Sequence, residues 1–230
     1  MVDPYLGGFY AHTMPPPAAT SVDIDAVRDQ ALVCTRCGLA ATRTQVVWAA
    51  GNLDSEVLFI GEAPGFHEDK EGIPFVGAAG KLLDQLMADV GLDRTKVAIV
   101  NVLKCRPPGN RDPLPDEIES CRPYLDAQLQ HMQPKVIVTL GNFATRFILE
   151  EQIGITRARG QKYPRRGATV IPTFHPAAAL RGGKFGGLST IDAMRQDFAL
   201  VRETLDAVPP AQPPMATAME PSPSEQLGLF

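Results

Sequence analysis

Four short apolar runs recur along the chain, and their composition predicts β-strands. They are EVLFI at 56–60, KVAIVN at 96–101, KVIVTL at 135–140 and TVIPTF at 169–174. Each run is almost continuously apolar, which is typical of strands that are buried on both faces of a sheet. The sequence therefore predicts a central four-stranded sheet that is covered on both sides.

Helical periodicity fills the intervals between these runs. GKLLDQLMADVG, at 80–91, places its large apolar residues on one face and stops at Gly91, and NFATRFILEE, at 142–151, follows the third strand. Ser189 and Asp192 have the spacing of a capping box for a last helix. Strands that alternate with helices predict an α/β fold, with three α/β/α layers around a largely parallel sheet.

The most distinctive polar residues come directly after the predicted strands. Glu62 follows the first strand, Asn101 ends the second, Gly141 and Asn142 follow the third, and His175 follows the fourth. Ligands of open α/β sheets bind beyond the carboxyl ends of the strands, so four strand ends would bring this chemistry to one edge.

The stretch LFIGEAPGFHEDKEGIPFVG, at 58–77, runs from an apolar strand into a glycine bend that carries a carboxylate. It matches neither GxxxxGK[ST] nor GxGxxG, whose backbone amides bind phosphate, and Glu62 would repel an anion. A nucleoside triphosphate is therefore not the expected ligand of this bend.

Composition and terminal segments bound the class of protein. A chain of 230 residues with 44% hydrophobic content can form one medium-sized domain, and no apolar run is long enough for a membrane span. The first 25 residues contain no Lys or Arg and no apolar segment of a secretory signal, so we expect a cytoplasmic protein. We expect a disordered segment at 1–25, one domain at 26–207, and a flexible proline-rich tail at 208–230.

The formal net charge of −4 conceals an uneven distribution. Residues 1–25 and 203–230 together hold seven acids and no Lys or Arg, which leaves +3 for the middle of the chain. Residues 155–187 contain no acid, and this basic stretch is either an ordinary solvated surface or a field that attracts nucleic acid. Its cations are Arg157, Arg159, Lys162, Arg165, Arg166, Arg181 and Lys184.

Four cysteines, Cys34, Cys37, Cys105 and Cys121, indicate a metal site. Disulfides are rare in the cytoplasm, and the CxxC spacing of the first pair is that of a chelate. Zinc and a [4Fe-4S] cluster both accept four thiolates, but the fifteen residues between the second pair are unlike the tight repeat of a zinc ribbon and favour a cluster. Ordinary buried thiols are the alternative.

GEAPG, PFVG, NVLKCRPP and HPAAALR occur here in the order found in the family 4 uracil-DNA glycosylases, which the chain resembles over residues 30–205. The resemblance implies a uracil-DNA glycosylase-like fold, a [4Fe-4S] cluster on the four cysteines, and a monomer located with the nucleoid. It implies hydrolysis of the N-glycosidic bond of a flipped-out deoxyuridine in single- or double-stranded DNA, which leaves an abasic site.

The resemblance also implies roles for individual residues. Glu62 would position or activate the attacking water, and His175 would donate a hydrogen bond to uracil O2 and stabilise the departing anion. Asn101 would recognise the O4 and N3–H edge of uracil, and Phe75 would stack on the base. The alternative interpretation is a side chain that caps the following turn for Glu62, a structural histidine for His175, and ordinary packing for Asn101 and Phe75.

Further residues of the same motifs are implied to contact the substrate. Gly61, Ala63 and Gly65 form the bend, where Ala63 and Gly65 stand in place of the Asp and Tyr of family 1 enzymes. Leu180 would enter the space that the base leaves, with an ordinary loop hydrophobe as the alternative, and Arg181 would contact a phosphate. The basic residues between 157 and 184 would then neutralise the DNA backbone. CRPPGNRDP stands where a covalently trapping sister group has an Arg-rich insert, so covalent trapping is not expected.

The chain ends in QLGLF, which resembles the pentapeptide by which bacterial repair proteins bind the DNA sliding clamp. Gln226, Leu227, Leu229 and Phe230 would make that contact, and folding back onto the enzyme's own surface is the alternative. For the whole chain, an iron-sulfur electron carrier and a non-catalytic DNA-binding module are the competing functions.

Overall fold

The computed structural model describes residues 22–207. The strands are β1 (Ala50–Gly51), β2 (Val57–Gly61), β3 (Ala98–Asn101), β4 (Val136–Leu140), β5 (Tyr163–Arg165), β6 (Ala168–Thr173), β7 (Lys184–Phe185) and β8 (Leu188–Ser189). The α-helices are α1 (Ile24–Leu32), α2 (Phe66–Glu71), α3 (Ala78–Ala88), α4 (Pro115–Met132), α5 (Asn142–Leu149), α6 (Ile155–Ala158), α7 (Pro176–Leu180) and α8 (Thr190–Ala207).

The main sheet has the strand order β1-β3-β2-β4-β6-β5. Its inner four strands are parallel and coincide with the four apolar runs, whereas β1 and β5 pair antiparallel at the two edges. The prediction of four strands was therefore wrong in number, because the sheet has six. The edge strands are two and three residues long and partly exposed, too short to produce a hydrophobic pattern.

Helices cover both faces of the sheet, which confirms the three-layer α/β/α prediction. Apolar residues of α3 and α8 pack on one face, where Phe59 of β2 stacks on Phe198 of α8 with 5.7 Å between ring centroids. Apolar residues of α4 and α5 pack on the other face. The strands are apolar on both sides because each side contacts helices.

Two of the expected helix boundaries can be compared with the structure. The helix expected to stop at Gly91 is α3, which ends at Ala88 and is followed by turns. Helix α8 begins after Ser189, whose Oγ accepts a hydrogen bond from the Asp192 amide at 3.1 Å. Among the helices of residues 22–207, none combines the length and the apolar character needed to cross a membrane.

The order of the strands fixes where a ligand can bind. From β2 the chain crosses to β3 on one side and later reaches β4 on the other, so the connections diverge between β2 and β4. At such a switch point the loops after the strands separate and leave a crevice at the carboxyl edge.

Candidate active site

A cleft of about 360 Å³ lies at this carboxyl edge. Seven of the residues that the sequence nominates line it, while Gly61 and Leu180 are not part of the lining. The seven are Glu62, Ala63, Gly65, Phe75, Asn101, His175 and Arg181. Side chains from the ends of three parallel strands, β2, β3 and β6, thus meet in one space.

Gly61 lies beneath the cleft and makes room for two of its walls. A Cβ atom at Gly61 would lie 2.3 Å from Asn101 Oδ1 and 2.6 Å from Phe75 Cζ, which no real side chain tolerates. Asn101 is only 2% exposed, and its Oδ1 has no hydrogen-bond partner within the described part of the chain. A buried amide oxygen without a partner is costly, so Asn101 is suited to a ligand that supplies a donor.

Phe75 has a strained backbone that neighbouring residues hold in place. Its φ angle is +57°, in the left-handed region that non-glycine residues avoid. Arg94 donates hydrogen bonds to the carbonyls of Pro74 and Phe75 and forms an ion pair with Asp84 at 2.8 Å. At Gly80 of α3 a Cβ would lie 1.7 Å from the Phe75 carbonyl oxygen, so only glycine allows this approach.

His175 is oriented by its own local turn and by an aromatic neighbour. Its Nδ1 accepts a hydrogen bond from the Ala177 amide at 3.2 Å, so in the neutral ring Nε2 carries the proton. The imidazole stacks on the Phe75 ring with 5.7 Å between centroids. Burial, and then the nearby Arg181, lower the His175 pKa to about 4, so the ring is a neutral hydrogen-bond donor at pH 7.

Glu62 lies in the bend after β2, is partly buried and has a raised pKa. Burial raises its pKa to about 7, and the negative charge of Asp112 adds to this effect. A carboxylate with a pKa near the working pH is suited to accepting a proton. Glu62 and the neutral His175 therefore line the same cleft in different roles: Glu62 can accept a proton, and His175 can donate a hydrogen bond.

Glu68 braces the cleft, and the sequence analysis did not nominate it. Its carboxylate accepts hydrogen bonds from the amides of Gly65, Val76 and Gly77 at 3.1, 3.1 and 3.2 Å. It therefore ties the bend that carries Glu62 to the segment that follows Phe75. Its position three residues after Gly65, at the start of α2, is a capping signal that could have identified it.

The loop between β3 and α4 supplies another wall that the sequence analysis missed. Asn110, Arg111 and Asp112 line the cleft. Glu117 fixes this loop because it accepts two hydrogen bonds from Arg111, at 2.9 and 2.6 Å, and a third from the Leu114 amide at 2.9 Å. The loop in turn places the Asp112 charge near Glu62.

Lys104 connects the cleft to the cysteines. It is 1% exposed, and its ammonium group donates to the Asn101 carbonyl at 2.7 Å and to Gln128 Oε1 at 2.6 Å. Burial lowers its pKa to about 8, although the neighbouring Cys121 and Cys105 oppose that effect. A lone lysine inside the run NVLKC was the only sequence signal for this buried cation.

The four cysteines line a second, smaller cavity between α1, α4 and the segment after β3. Arg43 Nη1 donates to Cys105 Sγ at 3.3 Å, and the Lys104 amide donates to Cys121 Sγ at 3.2 Å. No disulfide joins these cysteines within residues 22–207. Within residues 22–207, no three His, Cys, Asp or Glu side chains are grouped to hold a single metal ion.

The structure corrects the interpretation of the basic stretch as one field that faces DNA. Arg159 has a side chain that is only 10% exposed and pairs with the buried Asp197 at 2.9 Å. Lys162, Arg165 and Arg166 pair with acidic residues at the surface. Arg165 ends β5 and Arg166 lies in the turn before β6, so both are at the amino end of β6, whereas the cleft is at the carboxyl ends of the strands. Of the seven cations, only Arg181 lines the cleft.

Comparison with known proteins assigns the chain to a class. The family model described as "Uracil DNA glycosylase superfamily" matches residues 48–199, which include the sheet and the cleft. The chain thus has the fold of the uracil-DNA glycosylase superfamily.

Individual relatives narrow this class. The chain is 47% identical over 165 residues to a Type-4 uracil-DNA glycosylase of Archaeoglobus fulgidus, which covers 68% of this chain and 83% of the relative. It is 44% identical over 189 residues to that of Sulfurisphaera tokodaii, covering 78% and 84%. For that of Thermotoga maritima the identity is 46% over 160 residues, covering 69% and 83%. The chain belongs to the type-4 family of the uracil-DNA glycosylase superfamily.

Proposed function

We propose that this protein is a uracil-DNA glycosylase of DNA repair that hydrolyses the N-glycosidic bond of a flipped-out deoxyuridine. Membership of the type-4 family supports the activity. The observation that carries the mechanism is the convergence of Glu62, Asn101 and His175 in one cleft at the switch point of the sheet. An enzyme that acts on a base must take it out of the stack into such a pocket.

In this mechanism Asn101 and Phe75 hold the base. The Asn101 side chain offers an NH₂ donor to uracil O4 and an oxygen acceptor to N3–H, and the orphaned Oδ1 supports the second contact. The Phe75 ring, fixed by Arg94 and by stacking on His175, would provide one apolar wall against the base. The Asn101 amide is complementary to the polar edge of uracil. A base without that pattern of donor and acceptor would leave the buried amide unpaired, which is costly.

His175 and Glu62 act on the glycosidic bond. As the bond breaks, negative charge develops on uracil O2, and the neutral His175 donates its Nε2–H to that atom. The sugar becomes oxocarbenium-like, and the ionised Glu62 orients a water and accepts its proton. The low His175 pKa and the high Glu62 pKa both suit these roles at neutral pH.

Residues at the rim of the cleft would contact the DNA. Leu180 is 48% exposed at the end of α7, where it can enter the gap left by the flipped base. The neighbouring Arg181 lines the cleft and would contact a phosphate. Ala63 and Gly65 are the small residues of the bend that lines the cleft.

The four cysteines are proposed to hold a [4Fe-4S] cluster. Zinc also accepts four thiolates. Membership of the type-4 family and the four cysteines around one cavity support a cluster, and N–H groups of Arg43 and Lys104 donate to Cys105 and Cys121, as donors to cluster sulfurs do. When bound, the cluster would clip the N-terminal segment to α4. Metal analysis after anaerobic purification tests this: iron with labile sulfide is expected, and stoichiometric zinc without iron contradicts it.

The remaining proposals concern partners and boundaries. Gln226, Leu227, Leu229 and Phe230 lie outside the described residues, and their binding to the sliding clamp stays a prediction, as do the domain boundaries, the monomeric state and nucleoid association. Deleting residues 226–230 should abolish clamp binding and leave excision from a free oligonucleotide unchanged. Equal clamp binding by both proteins would show that the tail is not the docking segment.

Incubation with a uracil-containing oligonucleotide, followed by alkali, tests the proposed reaction. Only a glycosylase leaves an alkali-labile abasic site, so strand cleavage at the uracil position is expected. An electron carrier or a non-catalytic DNA-binding module would leave the strand intact. The matched control is the same oligonucleotide with thymine in place of uracil.

A further inference from the structure

An exposed aromatic residue lies directly outside the cleft and is not needed by the core. Phe66 follows the cleft residue Gly65 and is 45% exposed. Among the large hydrophobic side chains exposed in residues 22–207, it is the only aromatic one. An apolar ring left in water next to a binding cleft indicates a surface that something else covers.

Two cations hold the Phe66 ring. The Lys70 ammonium lies 4.5 Å and the Arg106 guanidinium carbon 5.1 Å from the ring centroid. Lys70 is one turn along α2, whereas Arg106 comes from the loop after β3 and donates from Nε to Asn110 Oδ1 at 2.7 Å. Because Asn110 lines the cleft, this surface of Phe66, Lys70 and Arg106, here called the Phe66 patch, is continuous with it.

The charge of the Phe66 patch is available to a ligand. Neither Lys70 nor Arg106 forms an ion pair with a carboxylate in the described part of the chain, whereas Lys162, Arg165 and Arg166 all do. The charges of Lys162, Arg165 and Arg166 are therefore already balanced by carboxylates at the surface. The Phe66 patch therefore combines an aromatic face with two uncompensated positive charges.

We propose that the Phe66 patch is a second DNA-contact site, which binds the nucleotide next to the flipped deoxyuridine. In this proposal Lys70 and Arg106 leave the Phe66 ring to contact the adjoining phosphates, and the ring face that they free stacks on the neighbouring base. Aromatic rings beside cations bind single strands because every base has a stacking face and every nucleotide a phosphate. This proposal rests on the proposed function, since it needs DNA in the cleft.

The test is a double-mutant cycle between the ring and the neighbouring base. Single-stranded oligonucleotides carry one 2′-fluoro-deoxyuridine, which resists excision, and the nucleotide on its 5′ or 3′ side is either normal or a tetrahydrofuran residue without a base. We expect Phe66→Ala to weaken binding of the normal strand by about 5-fold to 150-fold. For one of the two strands with a tetrahydrofuran neighbour, Phe66→Ala should change the affinity by less than twofold, because the base that the ring contacts is missing. Phe66→Trp keeps an aromatic ring and should bind the normal strand as well as the wild type.

The cations are tested by the dependence of binding on salt. Lys70→Ala and Arg106→Ala should each reduce the slope of log K against log salt by about 0.7, the value for one phosphate contact with a single strand. Arg165→Ala, at the amino end of β6, is the matched control and should leave the slope unchanged.

Two results would overturn the Phe66 patch proposal. One is an equal loss on normal strands and on both strands that lack a neighbouring base, and the other is binding by Phe66→Ala within twofold of the wild type. Thermal melting checks that each variant is folded. Wild-type excision of uracil is measured separately, so an active enzyme without this coupling refutes only the patch, and an inactive wild type refutes the proposed function.

Discussion

The raised pKa of Glu62 makes a quantitative prediction about the pH dependence of excision. If the ionised carboxylate accepts the proton of the attacking water, the rate should follow its deprotonated fraction. With a pKa of about 7, the single-turnover rate should fall nearly tenfold per pH unit below neutrality and be about 100-fold below its plateau at pH 5. An ordinary glutamate, with a pKa of 4.5, would leave the rate almost flat over that range.

The structure assigns the cause of this shift, and each cause can be removed. Burial is the larger contribution and Asp112 the smaller, so Asp112→Asn should move the midpoint of the profile to lower pH. His175 does not change its protonation in this window, because its pKa is lowered to about 4. Glu62→Gln should abolish excision and with it the dependence of the rate on pH. This result would attribute the pH dependence to Glu62 and not to titration of the DNA.

The assay is single-turnover excision from a single-stranded uracil oligonucleotide between pH 5 and pH 9, stopped with alkali and resolved by length. A flat profile from pH 5 to pH 8 would falsify the assignment of Glu62 as the base. An unchanged midpoint in Asp112→Asn would refute the contribution of Asp112. Excess enzyme at each pH ensures that the chemical step, and not binding, is measured.

The same shift affects stability with a defined sign. The folded state holds the Glu62 proton more tightly than the unfolded state, so the contribution of this group is fully present below pH 4.5 and is lost as the pH rises through about 7. Glu62→Gln should therefore gain stability relative to the wild type at pH 8 and not at pH 4. Urea denaturation at both pH values measures this difference.

Three further predictions follow from particular contacts. His175→Ala should lower single-turnover excision by about 100-fold to 1000-fold while the protein stays folded, and near-normal excision would refute its role. Gly61→Ala should cost roughly 100-fold in rate, because its Cβ would displace the Asn101 amide, which lies 2.3 Å away; an unchanged rate would show that this amide is not critical. Asp197→Asn should destabilise the fold by about 3–5 kcal/mol in urea denaturation, because it leaves Arg159 buried without a counter-ion, and a loss below 1 kcal/mol would contradict that.

Much of the site was accessible from the sequence because its residues follow strands with a strong signal. Continuous apolar runs identify parallel strands, and the carboxyl ends of such strands meet at one edge, so Glu62, Asn101 and His175 could be placed together. The short edge strands β1 and β5 could not be found in this way, because two or three residues carry no periodicity. Glu68 was passed over because its acidic side chain is one of several in GFHEDKE.

The sequence by itself determined where the four inner strands lie along the chain, which residues follow them, and which four cysteines can act as ligands. Only the tertiary structure decided which cations are free and which are paired, because ion pairs such as Arg159 with Asp197 join residues that are far apart in the chain. The same holds for the buried Lys104 and for the clamp of Arg94 on Phe75. Local patterns fix backbone conformation, whereas burial and charge pairing depend on what the fold brings into contact.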